Sequence, residues 1–357
     1  MPPRPQRISD HCDGKRFFSP GAPPSATWRR ALRWWISRPH RANWPKWVEL
    51  PRPRPLPPID NVNPLALTWI NHSTFLLRST AGNFLFDPVY SRRTGPFGLF
   101  GPKRVHAPAI PFDSLPQIDF LLLSHDHYDH CDIAALTRLA KRDAPLAITP
   151  LANAPLLIRA GFKRIIELDW WESASLPLPP AAAALSPASV TVTPAQHWSS
   201  RAIGPRCQRL WGGFNLSISG HTLYFAGDTG YHPTLFREIA TRLGSPDTAI
   251  LPIGAYLPRW FMRPQHCDPT EAVQIHRDLR AGLSIAMHWG CFRLTDEERD
   301  APPLALAAAL AAANLPPNVF RAINPGETVL LHNASPLSNQ PRPPHTTTPD
   351  AHESPST

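Results

Sequence analysis

The chain has 357 residues, 42% of them hydrophobic, with 36 Lys and Arg against 27 Asp and Glu and a formal charge of +9. That length suits one large domain or two ordinary ones; it holds no apolar run of about eighteen residues for a transmembrane helix, and residues 1–10 lack the apolar core of a secretory signal. Cys12, Cys131, Cys207, Cys267 and Cys291 are odd in number and widely spaced, with no CxxC, which argues against a disulfide framework and predicts reduced thiols in a cytoplasmic setting.

In chain order, residues 1–26 read as an irregular lead and 27–37 as a short basic helix. Much of the positive charge lies here, in Arg29, Arg30, Arg33, Arg38, Arg41, Lys46, Arg52 and Arg54, interleaved with Trp28, Trp34, Trp35, Trp44 and Trp47. Basic residues beside indoles suit an anionic membrane surface, which would make the protein peripheral on a membrane. The same mixture could meet nucleic acid, or the tryptophans could pack the arm on the main domain. No separate nucleic-acid motif is visible, and no nucleic-acid partner is expected. The proline run 51–58 acts as a stiff spacer and closes an N-terminal arm over residues 1–60.

From Leu65 the texture changes. Short apolar or alternating runs at 65–70, 75–78, 83–86 and 119–123 read as strands, and 131–142 has helical spacing. Strand candidates alternating with helices follow at 146–149, 153–160, 165–168, 189–193, 215–219 and 222–226, then a helix at 234–243 and a strand at 248–253. Asp268-Pro269-Thr270-Glu271 is a helix start, with a capping Asp, Pro in the first turn and Glu three residues on, for a helix reaching about Arg280. A strand at 284–288, an alanine-rich helix at 303–313 and a strand at 327–331 complete one α/β domain over residues 61–334. The tail 335–357, rich in Pro, Thr and Ser, reads as disordered.

The densest chemistry follows strand 119–123, in Ser124-His125-Asp126-His127-Tyr128-Asp129-His130. His125 and His127 are two apart and point the same way in an extended segment. Asp129 and His130 come after the chain turns and can face a second ion. Imidazole and carboxylate suit zinc, and also iron or manganese; the alternative is a polar loop that happens to be rich in histidine. Three later segments place a polar ligand just past an apolar strand: His197 after 190–193, Asp228 in a GDTG loop after 223–226, and His288 after 284–287. Each alone is more often a structural residue. In this order after HxHxDH they are far more specific.

On these residues the sequence resembles the metallo-β-lactamase fold, and within it the N-acyl-phosphatidylethanolamine-hydrolysing phospholipase D branch. The resemblance is carried over residues 65–334 by TWINHST at 68–74, Phe86-Asp87-Pro88, Gly101-Pro102-Lys103-Arg104, the histidine loop, ELDWWE at 167–172, Gln196-His197-Trp198, AGDTGY at 226–231, PIGAYLPRWFM at 252–262, Gln265-His266-Cys267-Asp268-Pro269 and His288-Trp289-Gly290. It departs at Asn71, where the family often has Gly. It implies a four-layer αββα sandwich and two zinc ions per chain, other divalent metals being open. His125, His127 and His197 would hold one ion; Asp129, His130 and His288 would hold the second; Asp228 would bridge both. Asp126 stands at a variable position and is not counted.

The implied chemistry is hydrolysis of a phosphodiester, most simply in a phospholipid, by a hydroxide made available at neutral pH between two metals. Asp129 and Asp228 would orient it as well as ligate. His266 is the candidate proton donor or phosphate contact, against a reading in which it only packs before the helix cap. Gln265, Tyr256 and Arg259 are candidates for the substrate pocket; Arg259 could meet a phosphate bidentately or serve as a structural pin. A hydrolase of a soluble phosphorylated or lactone substrate and a non-catalytic membrane-associated protein are the competing readings, and a homo-oligomer stays open. Asp87 comes too early for the ligand order and is expected beneath the histidine loop, orienting it by hydrogen bonds.

Overall fold

The computed structural model describes residues 7–21, 28–37, 42–51, 55–60, 64–178, 188–201 and 205–331. The start of the lead, Arg38, Arg41, Arg52, Arg54 and the tail 335–357 lie outside the described residues. The basic helix forms as α1, Trp28–Ile36. Three antiparallel strands open the domain, β1 Leu65–Asn71, β2 Thr74–Ser79 and β3 Gly82–Phe86. They are followed by β4 Phe120–Leu122, α2 Ile133–Arg142, β5 Leu146–Pro150, α3 Ala154–Arg159 and β6 Ile165–Leu168. The second half runs β7 Ser173–Ser175, β8 Ser189–Thr193, β9 Gly213–Ile218, β10 His221–Phe225, α4 Leu235–Leu243, β11 Thr248–Pro252, α5 Arg259–Met262, α6 Pro269–Leu279, β12 Leu283–Met287, α7 Ala301–Ala312, β13 Phe320–Arg321 and β14 Thr328–Leu331.

The strands make two seven-stranded sheets, ordered β14-β1-β2-β3-β4-β5-β6 and β13-β12-β11-β10-β9-β8-β7. Side-chain alternation builds the layers from there. On the first sheet Trp69, Phe75, Leu77, Phe84, Phe86, Phe120 and Leu122 join Val190, Val192, Phe214, Leu216, Leu223 and Phe225 of the second in one core. The intervening Ile70, Leu76, Leu85 and Leu121 belong to a separate cluster with Leu136 and Leu139 of α2 and Leu157 of α3. Helices α4, α6 and α7 bring Phe236, Val273 and Leu306 to the second sheet. The result is the four-layer αββα sandwich. Strands covered on both faces need apolar residues at every position, and this is why several of them read as continuous apolar runs.

Four elements depart from the sequence reading, one of them the short helix α5, which it did not contain. Residues 153–160, counted among the strand candidates, form helix α3: Pro155 suits its first turn, and the Glu167 carboxylate accepts the Ala154 N–H at 2.7 Å, a cap supplied by the neighbouring strand β6. Edge strands β7 and β13 carry too little apolar alternation to be read at all. Elsewhere the local signals hold, including the full capping box of Asp268 and Glu271 at the start of α6.

The described parts of the arm lie on the domain. Trp34 stacks on Phe261 at 5.0 Å and donates its indole N–H to Asp296 at 2.6 Å, and Trp44 donates to the Glu297 carbonyl at 2.9 Å. In the lead, Cys12 and Phe17 enter the central core and His11 Nε2 donates to Asp169 at 2.8 Å. Among the described residues, no helix is long and apolar enough to cross a membrane.

Candidate metal centre

Six side chains leave the two sheets just beyond strand ends and meet: His72 after β1, Asp87 after β3, His125 after β4, His197 after β8, Asp228 after β10 and His288 after β12. His72, Asp87 and His288 sit directly past their strands at φ of 44°, 39° and 64°, a left-handed turn that redirects each side chain. Among the described residues four overlapping groups of potential ligand atoms result. The two of four members are His125, His127, His197 and Asp228, and His72, Asp129, His130 and His288; Asp87, His125 and His130, and Asp228, His266 and His288, make the smaller two. Asp228 Oδ2 lies between the larger two, 3.2 Å from His130 and His288, 3.7 Å from His197 and 3.9 Å from His125.

Hydrogen bonds behind the rings decide which nitrogen faces inward. Asp87, fully buried, accepts the Ser124 N–H at 2.8 Å, the Ser124 hydroxyl at 2.6 Å and His130 Nδ1–H at 2.7 Å. With its proton given to Asp87, Ser124 Oγ accepts from His125 Nδ1 at 2.9 Å. His197 Nδ1 donates to the Gln265 carbonyl at 2.9 Å. His125, His130 and His197 therefore turn Nε2 into the centre, the arrangement expected of ligating imidazoles. Asp87 thus occupies the orienting position beneath the loop.

The same geometry tests whether a cation fits. His127 Nδ1 stands 3.0 Å from His125 Nε2 and 3.1 Å from His197 Nε2, and one proton there could serve only one of them. His130 Nε2, His288 Nε2 and Asp228 Oδ1 are buried without a hydrogen-bond partner. Buried polar atoms left so are costly, and a divalent ion taking imidazole nitrogens and carboxylate oxygens would satisfy them together.

The electrostatics divide the site. Burial, with neighbouring histidines, holds His125 well below the ordinary imidazole value, and burial takes His127 to about 3 and His197 to about 4. Burial works against charge on Asp228 and Asp129 as well. Around Asp228, His130 and His288 overcome it; at Asp129, contacts with His288 and His72 do so, and both carboxyls fall well below the usual carboxylate range. Against the same burial, Asp228 carries His130 well above its ordinary value, and Asp228 with Asp129 lifts His288 to about 9.

The other anticipated residues are placed as follows. His266, largely buried, has Nε2 4.0 Å from Asp228 Oδ2 and shares a ligand-capable group with Asp228 and His288. Gln265 is buried; its carbonyl holds His197 while its Oε1 has no hydrogen-bond partner. Tyr256 is half-buried, and burial lifts its phenol to about 12. Arg259 is turned to structure: its guanidinium bonds Glu271 at 2.6 Å, Asp268 at 3.2 Å and the His266 carbonyl at 2.9 Å, because α5 and the start of α6 put two carboxylates beside it. That engagement favours the reading of Arg259 as a structural pin over that of a phosphate contact. Asp126 likewise ties the loop down, accepting from Ser200 N–H at 2.9 Å and Arg209 at 3.1 Å.

Two features were not read from the sequence as part of the site. His72 Nε2 lies 3.2 Å from Asp129 Oδ2; its signal was available, since it ends a strand as His197 and His288 do. A rim of paired arginines and aromatics, Arg201 over Tyr128 at 4.2 Å and Arg206 over Trp198 at 3.8 Å, flanks His127, on which Trp198 packs at 4.4 Å. Nothing in a single sequence pairs these residues.

Two helix-flanked sheets with histidines and aspartates gathered at their strand ends define a metal-dependent hydrolase of the metallo-β-lactamase fold. The chain belongs to the beta-lactamase superfamily, whose domain model matches residues 82–289. It is 35% identical over 242 residues to N-acyl-phosphatidylethanolamine-hydrolyzing phospholipase D 1 of Caenorhabditis elegans, covering 66% of each chain. It is 33% identical over 240 residues to the mitochondrial N-acyl-phosphatidylethanolamine-hydrolyzing phospholipase D of Saccharomyces cerevisiae, a match to 66% of this chain and 49% of that one. The match thus spans just under two thirds of the nematode protein and about half of the yeast protein. Among solved structures, isothiocyanate hydrolase from Delia radicum gut bacteria shares the fold, with a TM-score of 0.59 at 20% identity over 75% of this chain and 99% of that one.

Proposed function

We propose that this chain is a binuclear zinc hydrolase that cleaves the phosphodiester of an N-acyl-phosphatidylethanolamine-type phospholipid, releasing phosphatidic acid and an N-acylethanolamine-like alcohol. The observation that carries the reading is Asp228, set between two ligand groups on a chain related to phospholipases of that specificity. His125, His127 and His197 would hold one ion, Asp129, His130 and His288 the other, and Asp228 both. When bound, such a pair supplies a nucleophile from water at neutral pH and neutralises charge on the phosphoryl oxygens.

The chain's own residues do the rest. Asp87 and Ser124 fix the tautomers of His125 and His130, so that neither ring must reorganise during turnover. His72 donates to Asp129 and helps to hold its carboxylate in place. His266, beside Asp228, is placed to donate to a phosphoryl oxygen or the leaving oxygen. Arg201 and Arg206 with their aromatic partners give the rim positive charge for an anionic substrate.

The test measures zinc in the purified chain and products from vesicles of N-acyl-phosphatidylethanolamine, phosphatidylethanolamine and phosphatidylcholine, beside soluble bis(p-nitrophenyl) phosphate. Phosphatidic acid should form fastest from the N-acylated lipid. Turnover confined to the soluble diester, or release of diacylglycerol, would refute the reading.

A further inference from the structure

Between β3 and β4 the chain throws out a loop, Gly95-Pro96-Phe97-Gly98-Leu99-Phe100-Gly101, whose apolar side chains face solvent: Phe97 is 86% exposed, Leu99 69% and Phe100 62%. Exposed apolar residues scattered singly are ordinary; three within four positions on one projection are not. Nor is the projection a slack segment. Thr94 N–H donates to the Pro102 carbonyl and Arg104 N–H to the Arg92 carbonyl, both at 3.0 Å, while Gly98 N–H closes on the Gly95 carbonyl at 3.0 Å. The neck is so tight that a Cβ on Gly95 would lie 2.4 Å from the Phe100 carbonyl oxygen, and one on Gly101 2.4 Å from that of Thr94. Phe97 itself sits at a φ of 59°, which a bulky residue rarely adopts, and is held outward there.

Charge surrounds the base. Arg92 is exposed, Arg93 and Lys103 are half-buried, and the sequence has no acidic residue between Asp87 and Asp113. Behind the neck the chain is bonded towards the candidate centre. The Ser91 hydroxyl and N–H donate to Asp132, which caps α2 just past His130, at 2.8 and 2.7 Å. Arg104 lies over the Phe292 ring, whose edge meets His72 at 5.3 Å.

We infer that this loop is a membrane wedge, with Phe97, Leu99 and Phe100 entering the interfacial zone of a bilayer and Arg92, Arg93 and Lys103 meeting anionic headgroups. A prefixed apolar tip above a cationic base matches the two attractions that hold proteins at such surfaces, burial of apolar area and charge. A second protein copy is a poorer occupant, because three side chains fall far short of the ~800 Å² per partner that a stable interface covers. The wedge deepens the phospholipid reading, since it would seat the centre beside its lipid, but it rests on exposure and charge and is tested without turnover.

Full-length protein would be sedimented with vesicles of mixed phosphatidylcholine and phosphatidylserine and with phosphatidylcholine alone. The variant Phe97→Ser/Leu99→Ser/Phe100→Ser alters only exposed positions, and its partitioning should fall about a hundredfold or more, the scale of losing three buried apolar side chains. Arg92→Glu/Lys103→Glu should abolish the preference for the anionic vesicles. As a gain of signal, Phe97→Trp should acquire fluorescence that lipids brominated on their acyl chains quench beyond the wild-type level. Unchanged partitioning of the triple variant, or an indole at position 97 that brominated lipids leave unquenched, would overturn the wedge; so would a triple variant that loses self-association while binding vesicles as before.

Discussion

One half of the candidate centre gathers three imidazoles, His125, His127 and His197; the other mixes His72, His130 and His288 with the Asp129 carboxylate. In the first, burial and neighbouring rings drive every histidine towards its neutral form. In the second, carboxylates reverse that pressure and lift His130 and His288. Residue type is the same in both, and the environment sets the charge. The first half is a set of lone pairs short of a cation, whereas the second is a set of ion pairs into which a cation must substitute.

Asp228 belongs to both halves, so its removal should have the largest effect. Asp228→Ala is expected to lose most of both metal ions, measured by elemental analysis of the purified chain; a variant that keeps two would break the comparison at its hinge. His197→Ala and His288→Ala should each lose about one ion and retain the other, and equal loss of both in each variant would show that the halves are not separable. His266→Ala is expected to keep both ions and the fold while turnover drops about a hundredfold, mainly in kcat. Loss of metal there would make His266 a ligand, and near-normal turnover would leave it a packing residue. The smallest effect should come from His72→Ala, which should weaken the second ion about ten- to a hundredfold, as loss of a ligand's orienting partner does, and weaken the first far less in a metal titration. Equal weakening of both would remove His72 from the second half.

How far the sequence reaches follows the same division. HxH ahead of a turn is a local geometry, so the first half and the strand-end positions of His197, Asp228 and His288 are legible in one dimension. His72 ends a strand in the same way, but its meeting with Asp129 is not legible, because that depends on β1 and β4 lying in one sheet with β2 and β3 between them. The core strands are legible because their apolar runs are dictated by burial on both faces; β7 and β13 are not, being short edges. Residues 153–160 misled because the apolar run Leu156-Leu157-Ile158 can serve strand or helix, and the Glu167 carboxylate that settles it comes from another element. Arg259 and the arm give the complementary lesson. Composition identifies a cation or an indole, but only packing tells that Arg259 faces Glu271 and that Trp34 and Trp44 donate into the domain.

Asp87 has a consequence that reaches beyond orientation. Its one carboxylate grips His130 directly and His125 through Ser124, so it touches both halves from behind as Asp228 does from the front. Two halves braced by common groups on both sides are thermodynamically linked. Whatever free energy one ion gains by ordering this framework is available to the next, and by reciprocity each ion should raise the affinity for the other. Metal uptake should therefore be partly coupled: filling one site should raise the affinity of the other, while a variant that has lost one site still loads the second.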